Sequence, residues 1–221
     1  MATIVHGPSH AGSARYLASH GRLLLGVTLT ELRQRYAGSL LGLGWAFLAP
    51  LLVLVIYALI YVKIFRVQVE NLTGTEYVLY LFCGLVPYLA AAESIAVGAG
   101  AVIANKSVLS NTVFPIDLTP VKAVLATQPV MFVGLGVVLA GAAATGNVHS
   151  TLVLLPGLWL LTVAWLIGLT WLLSVLVVIF RDLQNLITAL LMVMLVASPI
   201  AYTPDMVPPS VKRQTERVRG V

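Results

Sequence analysis

Long uncharged apolar runs dominate the chain and determine its predicted elements. No Asp, Glu, Lys or Arg occurs at positions 36–62, and none occurs at positions 123–180. A helix needs about 20 consecutive apolar residues to cross a bilayer. The first run therefore predicts one membrane span, and the second predicts two spans joined by a polar turn at 145–150. The runs are continuous rather than alternating, which is not the pattern of a transmembrane barrel. The five predicted spans cover 44–62, 77–99, 123–144, 152–180 and 183–202.

An apolar stripe with helical spacing precedes the first predicted span. It consists of Leu25, Leu29, Leu32 and Tyr36, at i, i+4, i+7 and i+11. Most of the charged residues in this segment fall off the stripe. We predict an amphipathic helix within 15–37 that lies on the membrane surface, with Arg33, Arg35 and Tyr36 at its end. A solvated segment ahead of the first span is the alternative.

Composition supports a membrane protein and excludes several other classes. Hydrophobic residues make up 59% of the 221 positions and charged residues 10%, against roughly a quarter charged in a soluble domain. This composition excludes a soluble globular enzyme and a disordered chain. A disulfide scaffold is excluded as well, because Cys83 is the single cysteine. The net charge of +5 is thinly spread, so no nucleic-acid partner is expected. The predicted fold class is an all-α integral membrane protein, with an N-terminal amphipathic interface helix followed by five transmembrane helices in the lipid bilayer.

The distribution of Lys and Arg predicts the orientation, because these residues favour cytoplasmic loops. Segments predicted to lie inside carry Arg15, Arg22, Arg33, Arg35, Lys106, Lys122 and Arg181, whereas the first outer loop carries Lys63 and Arg66. The N-terminus is therefore predicted to be cytoplasmic, in a multi-pass protein of the inner (cytoplasmic) membrane.

The C-terminal tail conflicts with this orientation. With five spans it would lie outside, yet it carries Lys212, Arg213, Arg217 and Arg219. We therefore expect that the chain lacks a closing transmembrane helix. The predicted organisation is a cytoplasmic segment with the interface helix at 1–37, a transmembrane domain at 38–205 and a basic tail at 206–221.

Few residues could carry chemistry. The sequence has no Gly-rich phosphate loop followed by Lys-Ser or Lys-Thr, and its histidines do not cluster, so neither catalysis nor a cofactor or metal is expected. Glu93 is an ionisable residue inside a long apolar stretch, which makes it a functional candidate; a position at the membrane interface is the alternative. Tyr88 and Trp165 are aromatic residues deep within predicted spans. Both could face a path for sugar rings, and packing is their alternative role.

Two segments between predicted spans have distinctive patterns. Arg181 and Asp182 separate the fourth and fifth spans and predict a charged pair at the inner membrane boundary. The 104–122 segment is predicted to be a cytoplasmic loop, yet it contains large apolar residues before a proline that would end a short helix. These are Val108, Leu109, Val113 and Phe114, followed by Pro115. They predict an apolar face that docks on another protein, or else on the chain's own spans.

Small residues recur at intervals of four in two places. One series is Gly38, Gly42 and Ala46, and the other is Gly136, Ala140 and Ala144. Such stripes allow close helix approach in lipid. They predict packing within the chain, with a dimer seam as the alternative.

The order and spacing of several short motifs resemble type-2 ABC transporter permeases of the polysaccharide and polyol-phosphate export family, which move O-antigen or teichoic-acid chains. The first two groups of matching residues are Arg33-Gln34-Arg35-Tyr36 with Ser39, Leu41-Gly42, Trp45, Pro50 and Tyr57, then Tyr77, Gly84-Leu85, Tyr88 and Glu93-Ser94. The remaining groups are Asn105, Leu109, Val113-Phe114-Pro115 and Pro120, then Phe180-Arg181-Asp182 and Ser198-Pro199-Ile200.

The resemblance implies six spans, a homodimer and a separate ATP-hydrolysing subunit, with the 104–115 loop contacting that subunit. The expected function is the permease subunit of an ABC exporter that moves a polysaccharide or lipid-linked glycan and is not itself an enzyme. The alternatives are a type-2 ABC exporter of drugs or lipids, and a non-transporting membrane scaffold subunit.

Overall fold

A computed structural model describes residues 21–60, 63, 74–106, 115–146 and 150–198. Within these residues the chain forms helices joined by turns. The helices are α1 (Gly21–Arg35), α2 (Trp45–Leu59), α3 (Gly74–Ala104), α4 (Leu118–Ala126), α5 (Gln128–Ala144), α6 (Leu155–Ile179) and α7 (Leu183–Ala197). Short 3-10 turns at Gly42–Gly44 and Ser150–Leu154 lead into α2 and α6.

Four helical segments are long and apolar enough to cross a bilayer. They are Gly42–Leu59, Gly74–Ala104, Leu118–Ala144 and Ser150–Ile179, while the apolar α7 is shorter. Each overlaps a predicted span, which confirms the prediction of an all-α membrane protein. Pro156 lies in the first turn of α6, where a proline is tolerated. The α7 helix ends at Ala197, and Ser198 is extended, as expected for a residue that precedes a proline.

The α3 helix lies at the centre and packs against α4, α5, α6 and α7. The approach is close because glycines face bulky side chains. A Cβ atom on Gly98 would lie 2.5 Å from Thr170 Cγ2 on α6, and one on Gly134 of α5 would lie 2.3 Å from Val86 Cγ1. Leu81, Leu85 and neighbouring residues of α3 form the largest buried cluster with α2 and α5.

Ala46 of the first small-residue stripe is buried within the chain, but other members of the two stripes do not pack as predicted. Gly136 and Ala140 are exposed, and a Cβ atom on Gly136 would meet nothing within 4 Å. Gly38 and Gly42 have φ values of +81° and +50°, so they form the turn between α1 and α2 rather than one face of a helix. Internal packing instead uses Gly98 and Gly134, because residues on different helices must face each other across a contact and spacing along one helix does not determine that.

The third span begins earlier than predicted. The segment from Leu118 onward was expected to be part of a cytoplasmic loop, but it forms α4, whose residues are almost all buried. Leu118 and Val121 pack with Leu24 of α1 and with Ile167 and Trp171 of α6. The α4 helix therefore lies between α1 and α6 and contacts both.

Candidate functional site around the N-terminal helix

Lys122 is a buried cation on α4. It is 6% exposed, and its Nζ donates a hydrogen bond of 2.9 Å to Asn105 Oδ1. The same Nζ lies 3.1 Å from Glu31 Oε2 on α1, as an ion pair whose angles fall outside hydrogen-bond geometry. Asn105 is held in turn, because its Nδ2 donates to the Ala101 carbonyl at 2.8 Å. We call Glu31, Lys122 and Asn105 the Lys122 cluster.

The Lys122 cluster joins three separate elements. Asn105 follows the last residue of α3, Lys122 lies in α4 and Glu31 lies in α1. A buried charge is unfavourable unless it is paired and hydrogen-bonded, so the ammonium fixes α1 against the α3–α4 region. Asn105 and Lys122 also flank the 107–114 segment along the chain. Their hydrogen bond therefore connects the residues that precede this segment with those that follow it.

A second ion pair ties the end of α1 to the middle of α3. Arg35 Nη1 lies 2.9 Å from Glu93 Oε1, and the two side chains are 38% and 32% exposed. The pair lies at the edge of a cavity of about 350 Å³ between α2 and the α3–α5 region. Glu93 was predicted as a functional candidate and Arg35 as part of the interface helix, but their pairing was not predicted. Sequence reasoning could not join residues that lie on separate helices.

The candidate pathway residues lie on different sides of the bundle. The Tyr88 hydroxyl donates to the carbonyl of Leu191 on α7, whereas Glu93 faces Arg35. Five residues along a helix correspond to a rotation of about 140°, which explains the separation. Trp165 is 60% exposed on α6. The structure does not bring these three residues together, and their role in a pathway stays a prediction.

The predicted docking residues fall mainly outside the described part of the chain. Val108, Leu109, Val113 and Phe114 all lie in the 107–114 segment, which the structure does not describe. Pro115 directly precedes the start of α4, and its carbonyl accepts a hydrogen bond from the Leu118 N–H at 3.1 Å. Trp171 Nε1 donates to the Asp117 carbonyl at 2.7 Å. The residues directly before α4 are therefore attached to α6.

The remaining predicted residues occupy helix ends. Arg33 is exposed and Tyr36 is half-buried at the C-terminal end of α1. Arg181 and Asp182 are both exposed in the turn between α6 and α7. Their carbonyls accept backbone hydrogen bonds from Gln184 and Asn185 at 3.3 and 3.1 Å. Their action as a boundary pair stays a prediction.

Buried polar contacts that the sequence did not reveal connect α3, α5 and α6. The hydroxyls of Ser94 and Thr127 lie 2.6 Å apart. Gln128 Nε2 donates to the Val124 carbonyl at 2.9 Å, and its Oε1 accepts from Trp159 Nε1 at 3.1 Å. The signal that was available is a polar Thr127-Gln128 pair inside a long apolar run, because a polar side chain at membrane depth needs a partner.

Together, the apolar helices and polar contacts define a multi-pass α-helical membrane protein. The chain is 30% identical over 189 residues to the "O-antigen export system permease protein RfbA" of Myxococcus xanthus, a match that covers 85% of this chain and 71% of the relative. Two proteins of the same name from Klebsiella pneumoniae are 31% and 32% identical over 188 residues, covering 84% of this chain and 71% of each relative. No family model matches the chain. On the extent of these similarities, the chain belongs to the O-antigen export permeases of the type-2 ABC transporter family, which confirms the resemblance seen in its motifs.

Proposed function

We propose that this chain is the membrane-spanning subunit of an ABC exporter that moves a polysaccharide or lipid-linked glycan across the cytoplasmic membrane. The similarity to O-antigen export permeases over about 85% of the chain carries this proposal. The chain contributes membrane spans and a helix that is fixed to them by buried polar contacts. A separate ATPase subunit supplies the energy, because the relatives are named as the permease proteins of an export system and type-2 ABC permeases work with an ATPase partner.

The transported polymer passes between two copies of the chain. Within the described residues, the cavity beside Arg35 has a volume of about 350 Å³, and α3 is packed closely against its neighbours. Glycines bring α3 close to α5 and α6, so the path is assigned to the space that two copies enclose between them. The homodimer is therefore part of the proposal.

The ATPase subunit acts on the 107–114 segment. Val108, Leu109, Val113 and Phe114 provide an apolar docking face, since exposing them to water is unfavourable. The Lys122–Asn105 hydrogen bond of 2.9 Å connects the residues that precede the segment with those that follow it, and the ion pair with Glu31 continues the connection to α1. A displacement of the docked segment is thereby passed to α1 as well as to the spans.

Co-purification tests the proposal and its alternatives. The full chain is purified in mild detergent from its own cells, and the proposal expects an ABC ATPase in the complex. Deletion of the gene is then expected to leave the glycan on the cytoplasmic side. Absence of any ATPase would favour a scaffold subunit, while an ATPase without any loss of glycan export would favour an exporter of drugs or lipids.

Cysteine labelling tests the proposed orientation. On a Cys83→Ser background, Ser13→Cys and Ser110→Cys are each exposed to an impermeant thiol reagent. A cytoplasmic N-terminus and loop predict no labelling in intact cells and full labelling after permeabilisation. Labelling of both positions from outside would overturn the orientation.

A further inference from the structure

The cavity beside the Arg35–Glu93 pair is amphipathic. We call this cavity, with the ion pair at its edge, the Arg35 cleft. One wall is a face of α2 formed by Ala46, Ala49 and Pro50, and the opposite wall includes Leu89 and Ala92 of α3. The volume of about 350 Å³ is at the lower end of the roughly 300–1,000 Å³ of small-molecule pockets.

The ion pair at the edge of the Arg35 cleft is accessible and can exchange partners. Arg35 and Glu93 are 38% and 32% exposed, and ion pairs of this exposure contribute little net stability. A ligand that offers each side chain an opposite charge can therefore replace the direct pair without leaving a charge unpaired. The edge of the Arg35 cleft therefore presents the positive Arg35 guanidinium beside the negative Glu93 carboxylate.

Counting residues along α3 places the Arg35 cleft near the level where hydrocarbon meets the lipid headgroups. The α3 helix has 31 residues, about 46 Å at 1.5 Å per residue, so it exceeds a hydrocarbon core of about 30 Å. Glu76 is in its first turn, outside the core. Counting about 20 residues from Tyr77 places the opposite boundary near Ala96, one turn beyond Glu93. A charged edge and an apolar wall at this level match the headgroup and upper acyl chain of a lipid.

We propose that the Arg35 cleft binds a zwitterionic phospholipid with a primary ammonium group. The phosphate accepts hydrogen bonds from the Arg35 guanidinium, the ammonium donates to the Glu93 carboxylate, and one acyl chain lies along the alanine wall. A headgroup that carries negative charge alone is disfavoured, because it would meet the Glu93 carboxylate beside the guanidinium. A choline headgroup has no N–H to donate to Glu93. This inference does not depend on what the protein exports.

Lipid retention by the purified chain tests the proposal. The delipidated full-length protein is mixed with equal amounts of phosphatidylethanolamine and phosphatidylglycerol of identical acyl chains, and retained lipid is counted by native mass spectrometry. We expect roughly threefold to fivefold preference for phosphatidylethanolamine, the factor set by one half-exposed charge contact. Glu93→Gln should reverse the preference, because the guanidinium alone favours the anionic lipid. Arg22→Gln is the matched control, since it removes an exposed positive charge from α1 away from the cleft.

A cavity-filling variant separates lipid from other occupants. Ala92→Phe should reduce retention of phosphatidylethanolamine while the Arg35–Glu93 pair remains. Equal retention of the two lipids by the unaltered protein, or an unchanged preference in Glu93→Gln, would overturn the proposal. If Ala92→Phe lowers the dimer fraction and leaves lipid retention unchanged, a second copy of the chain occupies the cleft and the lipid site is likewise refuted.

Discussion

The Lys122 cluster predicts an unequal response to removing its two charges. The Lys122 side chain is 8% exposed, whereas that of Glu31 is 30% exposed. Glu31→Gln takes away the carboxylate 3.1 Å from a buried ammonium. Lys122→Met removes the ammonium but keeps a similar apolar stem, and it leaves a Glu31 side chain that is 30% exposed, although its Oε2 atom is buried. We therefore expect Glu31→Gln to be the more harmful change, although Glu31 is the more exposed residue.

The expected sizes follow from burial. Removing one partner of a buried ion pair costs about 3–5 kcal/mol, and we expect the lower end, about 3 kcal/mol, for Glu31→Gln because Asn105 still accepts from Lys122. For Lys122→Met we expect about 1 kcal/mol, the value of one lost hydrogen bond, since the charge left behind is on the more exposed of the two side chains. The double variant leaves no buried charge, so it should be more stable than Glu31→Gln alone.

Thermal unfolding of the purified protein in one detergent measures these differences. A loss of 3 kcal/mol corresponds to a fall in Tm of about 6–12 °C for a chain of this size. The Glu93→Gln variant is the matched control, because it removes a carboxylate from a half-exposed pair and should cost at most about 1 kcal/mol. Equal effects of Glu31→Gln and Lys122→Met, or a double variant as unstable as the sum of the two, would refute the argument from burial.

Three further predictions concern packing, docking and the membrane boundary. Gly98→Ala places a Cβ atom 2.5 Å from Thr170 Cγ2 and should lower stability by about 1–3 kcal/mol. Gly136→Ala is the control, because its added Cβ atom meets nothing within 4 Å, and it should leave Tm unchanged. Equal Tm values for the two variants would contradict the close α3–α6 contact. Phe114→Ala should weaken co-purification of the ATPase while the chain remains inserted and dimeric, and a lower Tm with undiminished ATPase binding would show that Phe114 packs on the chain's own helices. Arg181→Ala should reduce the amount of membrane-inserted protein more than Lys63→Ala does, as measured by fractionation, and negligible effects of both would mean that the α6–α7 turn does not hold the helices in depth.

The membrane spans could be predicted from the sequence because crossing a bilayer is a local requirement. A span needs a certain length of apolar residues, and a helix satisfies its backbone hydrogen bonds within the same segment. The uncharged run at 123–180 therefore predicted two spans and a turn, and the helices Leu118–Ala144 and Ser150–Ile179 agree with it. The family motifs were likewise readable, since they are short patterns in fixed order.

Contacts between helices were decided by the tertiary structure. Lys122 looked like a loop residue because it precedes a long apolar run, yet α4 starts before it and buries it against Glu31, which is far away in the sequence. The stripe at Gly136 and Ala140 looked suitable for packing, but the α5 glycines that face α3 are Gly134 and Gly141. Hydrophobicity along one helix indicates that it is in the membrane, and in lipid all its faces are similarly apolar. The rotation and approach of the helices decide which face meets a neighbour and which distant charge neutralises a buried ammonium. Rotation and approach are determined only when the helices pack together.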